Sequence, residues 1–211
     1  MKLYIPTFAE EVANSVSHGV MTIIFLLLLP FAAVWAYIGG GVMASITVSI
    51  YVVSIIMMLL ISTLYHSMAL GSRHKEVFHI LDHICIYIAI AGSYTPVALC
   101  VIGGWQGWLV FGIQWLMVVF GIFYKSLARK SIPAVSLTIY ITMGWMIVIF
   151  MPRLIANASV ELLGYIALGG VFYTLGAWFY ARKAFRYHHL VWHLLINLAV
   201  MAHFVAIVFY L

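Results

Sequence analysis

The chain has 211 residues, of which 66% are hydrophobic and only 7% charged, with a net charge of +5. Soluble domains carry roughly a quarter charged residues, so this composition excludes a water-soluble enzyme and calls for an all-α, polytopic membrane protein. The few cations act as a topological signal and attract anionic lipid. Membrane lipids are therefore the expected partners, and nucleic acid is not.

The opening segment, MKLYIPTFAEEVANSVSH, lacks the charged-then-apolar order of a cleavable signal peptide, so the first span is expected to serve as an uncleaved anchor. Within it Glu11, Asn14 and His18 fall at i, i+3 and i+7, one stripe of a helix that begins before the bilayer. Stretches approaching the 20 or so apolar residues needed to span a bilayer then follow at 18–38, 42–65, 81–101, 105–124, 133–151, 161–181 and 189–210. Gly-rich or charged separators lie between them at 39–41, 71–79, 103–107, 125–133, 151–159 and 181–186. This predicts a seven-helix bundle forming one transmembrane domain over 1–211, with no stretch left for a soluble domain. Pro30 and Pro96 are the main breakers inside the spans.

Lys and Arg are retained in cytoplasmic loops. With the N-terminus inside, the inner segments hold Lys2, Arg73, Lys75, Lys125, Arg129, Lys130, Arg182, Lys183 and Arg186, and the outer segments hold only Arg153. The N-terminus is predicted to be cytoplasmic and the C-terminus outside. Trp105, Trp108, Trp145 and Trp178 near span ends read as interfacial belts.

Cys85 and Cys100 share one span, about 22 Å of helical rise apart, and cannot bridge each other. The histidines are more informative, because imidazole within hydrocarbon is costly unless it is bound. His189 and His193 stand at i and i+4 on one helix face, a spacing that can put two ring nitrogens on one metal. His66 ends the second span at the same depth, with Ser62 one turn before it on the same face. Asp82, the only aspartate, stands at the matching end of the third span. His74 and His188 read as interfacial, and His79 and His83 are left outside the site. His203, about 21 Å beyond His189, is too far to join it. Asn197 continues the His189 and His193 face inward.

The motifs SxxxH at Ser62 to His66, LDH at 81–83, HxxxH at His189 to His193 and ExxNxxxH at Glu11 to His18 resemble the progestin and adipoQ receptor superfamily. Its bacterial branch is the hemolysin III family. The resemblance spans the whole chain and implies zinc held near the cytoplasmic face by His66, His189 and His193. It places Asp82 on the zinc-bound water and Ser62 close by, in a bacterial cytoplasmic (inner) membrane protein. Glu11, Asn14 and His18 are expected to support those ligands from behind, since ligating histidines give their other N–H to a carboxylate or carbonyl. Unlike the receptors, the chain has a short N-terminal segment and no sizeable extension, and the connection between the sixth and seventh spans is short. No protein ligand is inferred.

Three imidazoles leave zinc one open position, the arrangement of catalytic sites. Asp82 is then the candidate general base and Ser62 could hold the water or the oxyanion, and the resemblance to the superfamily adds the substrate class, so that the expected activity is zinc-dependent, ceramidase-like hydrolysis of a lipid amide. The alternatives are a zinc-stabilised sensor or regulator of membrane homeostasis and a hemolysin-type pore or transport protein. A transporter should show ionisable groups or broken helices near mid-membrane, whereas the acidic residues here lie only at helix ends.

Overall fold

A computed structural model describes residues 6–127, 132–182 and 185–211. Every regular element among them is helical: α1 (Phe8–Ser67), α2 (Arg73–Pro96), α3 (Gly104–Leu127), α4 (Pro133–Trp145), α5 (Met151–Asn157), α6 (Val160–Arg182) and α7 (His188–Phe209). A π-turn over Val97–Ile102 extends α2, and a 3-10 turn over Met146–Phe150 joins α4 to α5. Six of the resulting stretches are long and apolar enough to cross a membrane. The protein is an integral membrane protein.

The 60 residues of α1 would reach about 90 Å if straight, three times a bilayer core. They double back. Gly41 has φ 70 and ψ −160, a conformation open in practice only to glycine, and it separates a first limb (8–40) from a second (42–67). Next to the apex, the Ser45 hydroxyl donates to the Ala33 carbonyl at 2.9 Å. At the far end the Ser15 hydroxyl donates to the Thr63 carbonyl at 3.2 Å and meets the Ser67 hydroxyl at 2.8 Å. The separator expected at 39–41 is thus a turn built on one residue, with Gly39 and Gly40 still helical.

Helix α1 starts before its apolar stretch, as the Glu11, Asn14 and His18 stripe requires, whereas the start of α2 and residues 151–159 differ from expectation. Helix α1 begins at Phe8 and α2 at Arg73, well before the apolar stretches, because caps and burial make their polar first turns worth forming. Thr7 and Glu10 form a reciprocal capping box, and the Ser72 hydroxyl accepts from the Lys75 amide at 3.1 Å. Residues 151–159, expected as a separator, are instead mostly helix α5. Pro152 sits in its first turn, where a missing N–H costs nothing.

The second limb, α2 and α7 form the core. Tyr51, Val52, Ile55 and Leu59 of that limb pack with Val200, Phe204 and Ile207 of α7, and all are buried. The Tyr51 hydroxyl donates to the Val200 carbonyl at 3.1 Å. Glycines allow close approach, as is usual between helices in lipid. Gly92 lies on Ser54, Gly121 on the Tyr87 ring and Gly169 on the His203 ring, each with no room for a Cβ.

Candidate metal centre

The two limbs of α1, the start of α2 and the start of α7 meet at the end of the bundle where the Ser15 contacts lie. The second limb brings His66 there, and α7 brings His189 and His193. One ligand-capable atom from each of these three histidines lies within 4.8 Å of the others. The ring centroids are 5.0 Å apart for His66 and His189, 5.0 Å for His66 and His193, and 4.7 Å for His189 and His193.

The hydrogen bonds behind two of these rings fix which nitrogen faces inward. His66 Nδ1 is 2.7 Å from Glu11 Oε2. A carboxylate only accepts, so Nδ1 carries the proton and Nε2 keeps its lone pair. That Nε2 is buried with no partner among the described residues. His193 Nδ1 is 3.2 Å from the Asn14 carbonyl, which likewise only accepts, and its Nε2 is left available. The Ser17 hydroxyl sits 3.3 Å from the same Nδ1 and donates to the same carbonyl at 2.8 Å. Two imidazoles held by their Nδ1 sides with Nε2 turned inward, beside a third, would suit a zinc-type ion, and such an ion would satisfy the orphaned His66 nitrogen. The residues fit the metal.

Glu11 and Asn14 therefore stand behind the ligands, Asn14 through its main chain and not its amide. His18 stacks flat on His193, with ring centroids 3.7 Å apart and planes within 4°. It is 3% exposed and neither nitrogen has a partner in the protein. The Ser62 hydroxyl reaches the Asp82 carboxylate, and Asp82 lies within electrostatic range of His66 without joining the three-histidine group. Asn197, one turn beyond His193, donates to the Ser17 carbonyl at 3.1 Å and ties α7 to the first limb.

The remaining histidines are elsewhere. His74 is exposed. His83 Nδ1 bonds the His79 carbonyl at 2.8 Å and stands 4.0 Å from Asp82. His203 contacts the Ile166 carbonyl at 3.2 Å on α6. His188, expected at the interface, is buried, and its Nδ1 meets the Phe185 carbonyl at 3.0 Å.

Four polar residues here carry no sequence motif. Glu10 accepts from the Tyr187 amide at 2.9 Å, pinning the first limb to the left-handed turn that starts α7. Ser17 serves His193 as described. Lys75 is buried and bonds Glu11. Lys125 of α3 is also buried, within electrostatic range of Asp82. The only available signal is a charge set at the depth of the histidines, which a count of loop cations treats as topology alone.

A helical integral membrane protein with a largely buried three-histidine cluster at one end, His189 being half-buried, is the class these features define. A family model described as "Haemolysin-III related" matches residues 7–204, and the chain belongs to that family. It is 32% identical to the Hemolysin-3 homolog of Bacillus subtilis (strain 168) over 204 residues, covering 97% of this chain and 95% of that protein. Identity to Hemolysin-3 of Bacillus cereus is also 32%, covering 95% and 91%. The human Monocyte to macrophage differentiation factor is 28% identical, covering 99% and 87%. The family expected from the motifs is therefore the right one, and it reaches beyond bacteria.

Proposed function

We propose that the protein is a zinc-dependent membrane hydrolase acting on lipid amides. The observation that carries this reading is the convergence of His66, His189 and His193 with the outer nitrogens of His66 and His193 already engaged. Zinc bound by three imidazoles with an open position supplies a Lewis acid and a water that ionises near neutral pH. With such an ion bound, Asp82 would be the group that accepts the proton of its water, and Ser62 would hold the carboxylate in place for that role. Glu11 and the Asn14 carbonyl keep the ligand rings from rotating. A site buried among helices and approached from the leaflet suits a substrate that enters sideways, with its acyl chain in lipid.

The two limbs of α1 count as two spans, which makes seven within one membrane domain. The N-terminus is cytoplasmic and the C-terminus outside, as nine inner cations against one require. The site then faces the cytoplasmic leaflet of the bacterial inner membrane. Reporter fusions at residue 127 and at Leu211 check this, and the opposite pattern would move the site to the outer leaflet.

One observation favours a second reading. The same end of the bundle carries ties among limb 1, limb 2, α2 and α7, so a metal there would also lock helices together, as in a regulator whose zinc is structural. Asp82→Asn separates the two. It keeps size but cannot take a proton, so fatty-acid release from a ceramide-like panel should fall about 10²–10⁴-fold with zinc content unchanged. A zinc-loaded parent inactive on every lipid amide tried would leave the structural reading standing.

A further inference from the structure

Lys75 reads as a loop cation in the sequence, yet it is 8% exposed. Its Nζ donates to the Tyr65 carbonyl at 3.1 Å and the Met68 carbonyl at 3.3 Å, closing the end of the second limb. It lies 4.5 Å from the centre of the Tyr65 ring. It also stands 3.2 Å from Glu11 Oε2, the same oxygen that lies 2.7 Å from His66 Nδ1. One carboxylate oxygen is thus shared by a buried ammonium and a ligand ring, and it comes from a third segment.

This arrangement has a physical consequence. A carboxylate at 7% residue exposure keeps its charge only if a cation or donors offset the lost hydration. The same oxygen accepts from His66 Nδ1 and from the Lys75 ammonium, so the ammonium fixes where the carboxylate stands and the carboxylate fixes the His66 ring. With Lys75 replaced by an apolar group, that oxygen loses one of its two partners and the Glu11 side chain is no longer held against His66. We propose that Lys75 is a positioning residue for His66, acting through Glu11 and setting the affinity of the three-histidine cluster for zinc. This rests on the cluster being a zinc site.

The test is zinc titration of the full-length, metal-stripped protein in detergent against a competing chelator, with thermal unfolding of the metal-free form beside it. Glu11→Gln should raise the zinc Kd about 10–100-fold. Lys75→Met should raise it about 3–30-fold, and Lys75→Arg, which keeps the charge, should stay near the parent. The double variant Glu11→Gln/Lys75→Met should bind no worse than Glu11→Gln alone, because the lysine acts through that carboxylate. Ser15→Ala, which breaks a neighbouring tie between the limbs, should lower metal-free stability and leave the Kd unchanged. A Lys75→Met protein that is less stable yet binds zinc as the parent does would reduce Lys75 to a helix tie and overturn the proposal. Strict additivity in the double variant would overturn it equally, and so would a Lys75→Arg protein as weak as Lys75→Met. A parent that takes up no zinc would sink the metal reading first, and this inference with it.

Discussion

Two parts of the bundle are held together by different means. In the window that best defines α2 as a span, 67% of residues are buried inside the protein, whereas the span over Ala134–Asn157 has 11%. The second limb, α2 and α7 surround an end where Glu11, His18, His66, Lys75 and His193 are all buried. The α4 and α5 side presents Ile141, Trp145, Val148, Ile149 and Ile155 outward. It is joined to its neighbours by a few bonds to backbone: Tyr94 to the Gly144 carbonyl at 2.6 Å, Gln114 to the Met143 carbonyl at 2.9 Å and Asn157 to the Val101 carbonyl at 2.9 Å. Polar side chains are dense where burial is deep and chemistry is available, and sparse where the helix meets lipid. The best-buried part of this fold and its candidate site are therefore largely the same residues.

The largest effect should come from the cluster itself. Replacing His189 and His193 together by Ala leaves one imidazole of three, so a protein that binds about one zinc per chain should retain essentially none by metal analysis. Full occupancy in that variant would remove the contrast between the two regions at its root. No substitution on the α4 and α5 face should alter zinc content at all.

Next in size is packing at a glycine. A Cβ at Gly169 would collide with the His203 ring, and the Ala199 carbonyl is 3.2 Å away, so the side chain has little room to give. Gly169→Val should destabilise by about 1–3 kcal/mol through overpacking, read as a lower unfolding temperature in detergent. Gly170, where a Cβ would meet nothing within 4 Å, is the matched control and should be near neutral.

These two effects differ in how well the sequence announces them. Spans are legible because about 20 apolar residues in a row have one main use in a chain this poor in charge. The ligands are legible because SxxxH and HxxxH repeat at helical spacing and coincide in depth. Glu11 is legible too, as part of the stripe with Asn14 and His18, but Glu10 and Lys75 are not, since they read as an end residue and a loop cation until each is seen against its partner. Their partners are distant in the chain: His66 is 55 residues from Glu11 and Tyr187 is 177 from Glu10. Hydropathy reports each residue's cost in lipid and is silent on the partner that cancels it. Helix α5 escapes the sequence reading for a related reason, because Pro152 and Arg153 read as a break, although Pro152 suits a first helical turn and Arg153 has the Ile102 carbonyl as a partner 51 residues away.

A smaller effect is expected at Tyr51, whose ring is fully buried and whose hydroxyl bonds the Val200 carbonyl. Tyr51→Phe keeps the ring and loses one interhelical hydrogen bond, worth about 0.6 kcal/mol on average between helices in membranes. A modest loss of stability with unchanged zinc content would show that the core supports the site without tuning it. A large loss of zinc affinity would instead extend the site deeper along α7.

The smallest loss of stability should lie on the peripheral side, at Gln114, where two opposing quantities decide the sign. The side chain is 0% exposed. Its Nε2 donates to the Met143 carbonyl at 2.9 Å, while its Oε1 is buried without a partner in the protein. Gln114→Leu gives up the hydrogen bond, about 0.6 kcal/mol by the membrane average, but also removes a buried acceptor whose lack of a partner costs about 1–3 kcal/mol where water does not reach it. Leu is close in volume to Gln, so no cavity term of note enters. The net change should be stabilising by about 0.4–2.4 kcal/mol, measured as a raised unfolding temperature with zinc content as in the parent. A clear destabilisation would mean that Oε1 has a partner within the membrane, and that α3 and α4 are held by a polar network of the kind that marks the other end of the bundle.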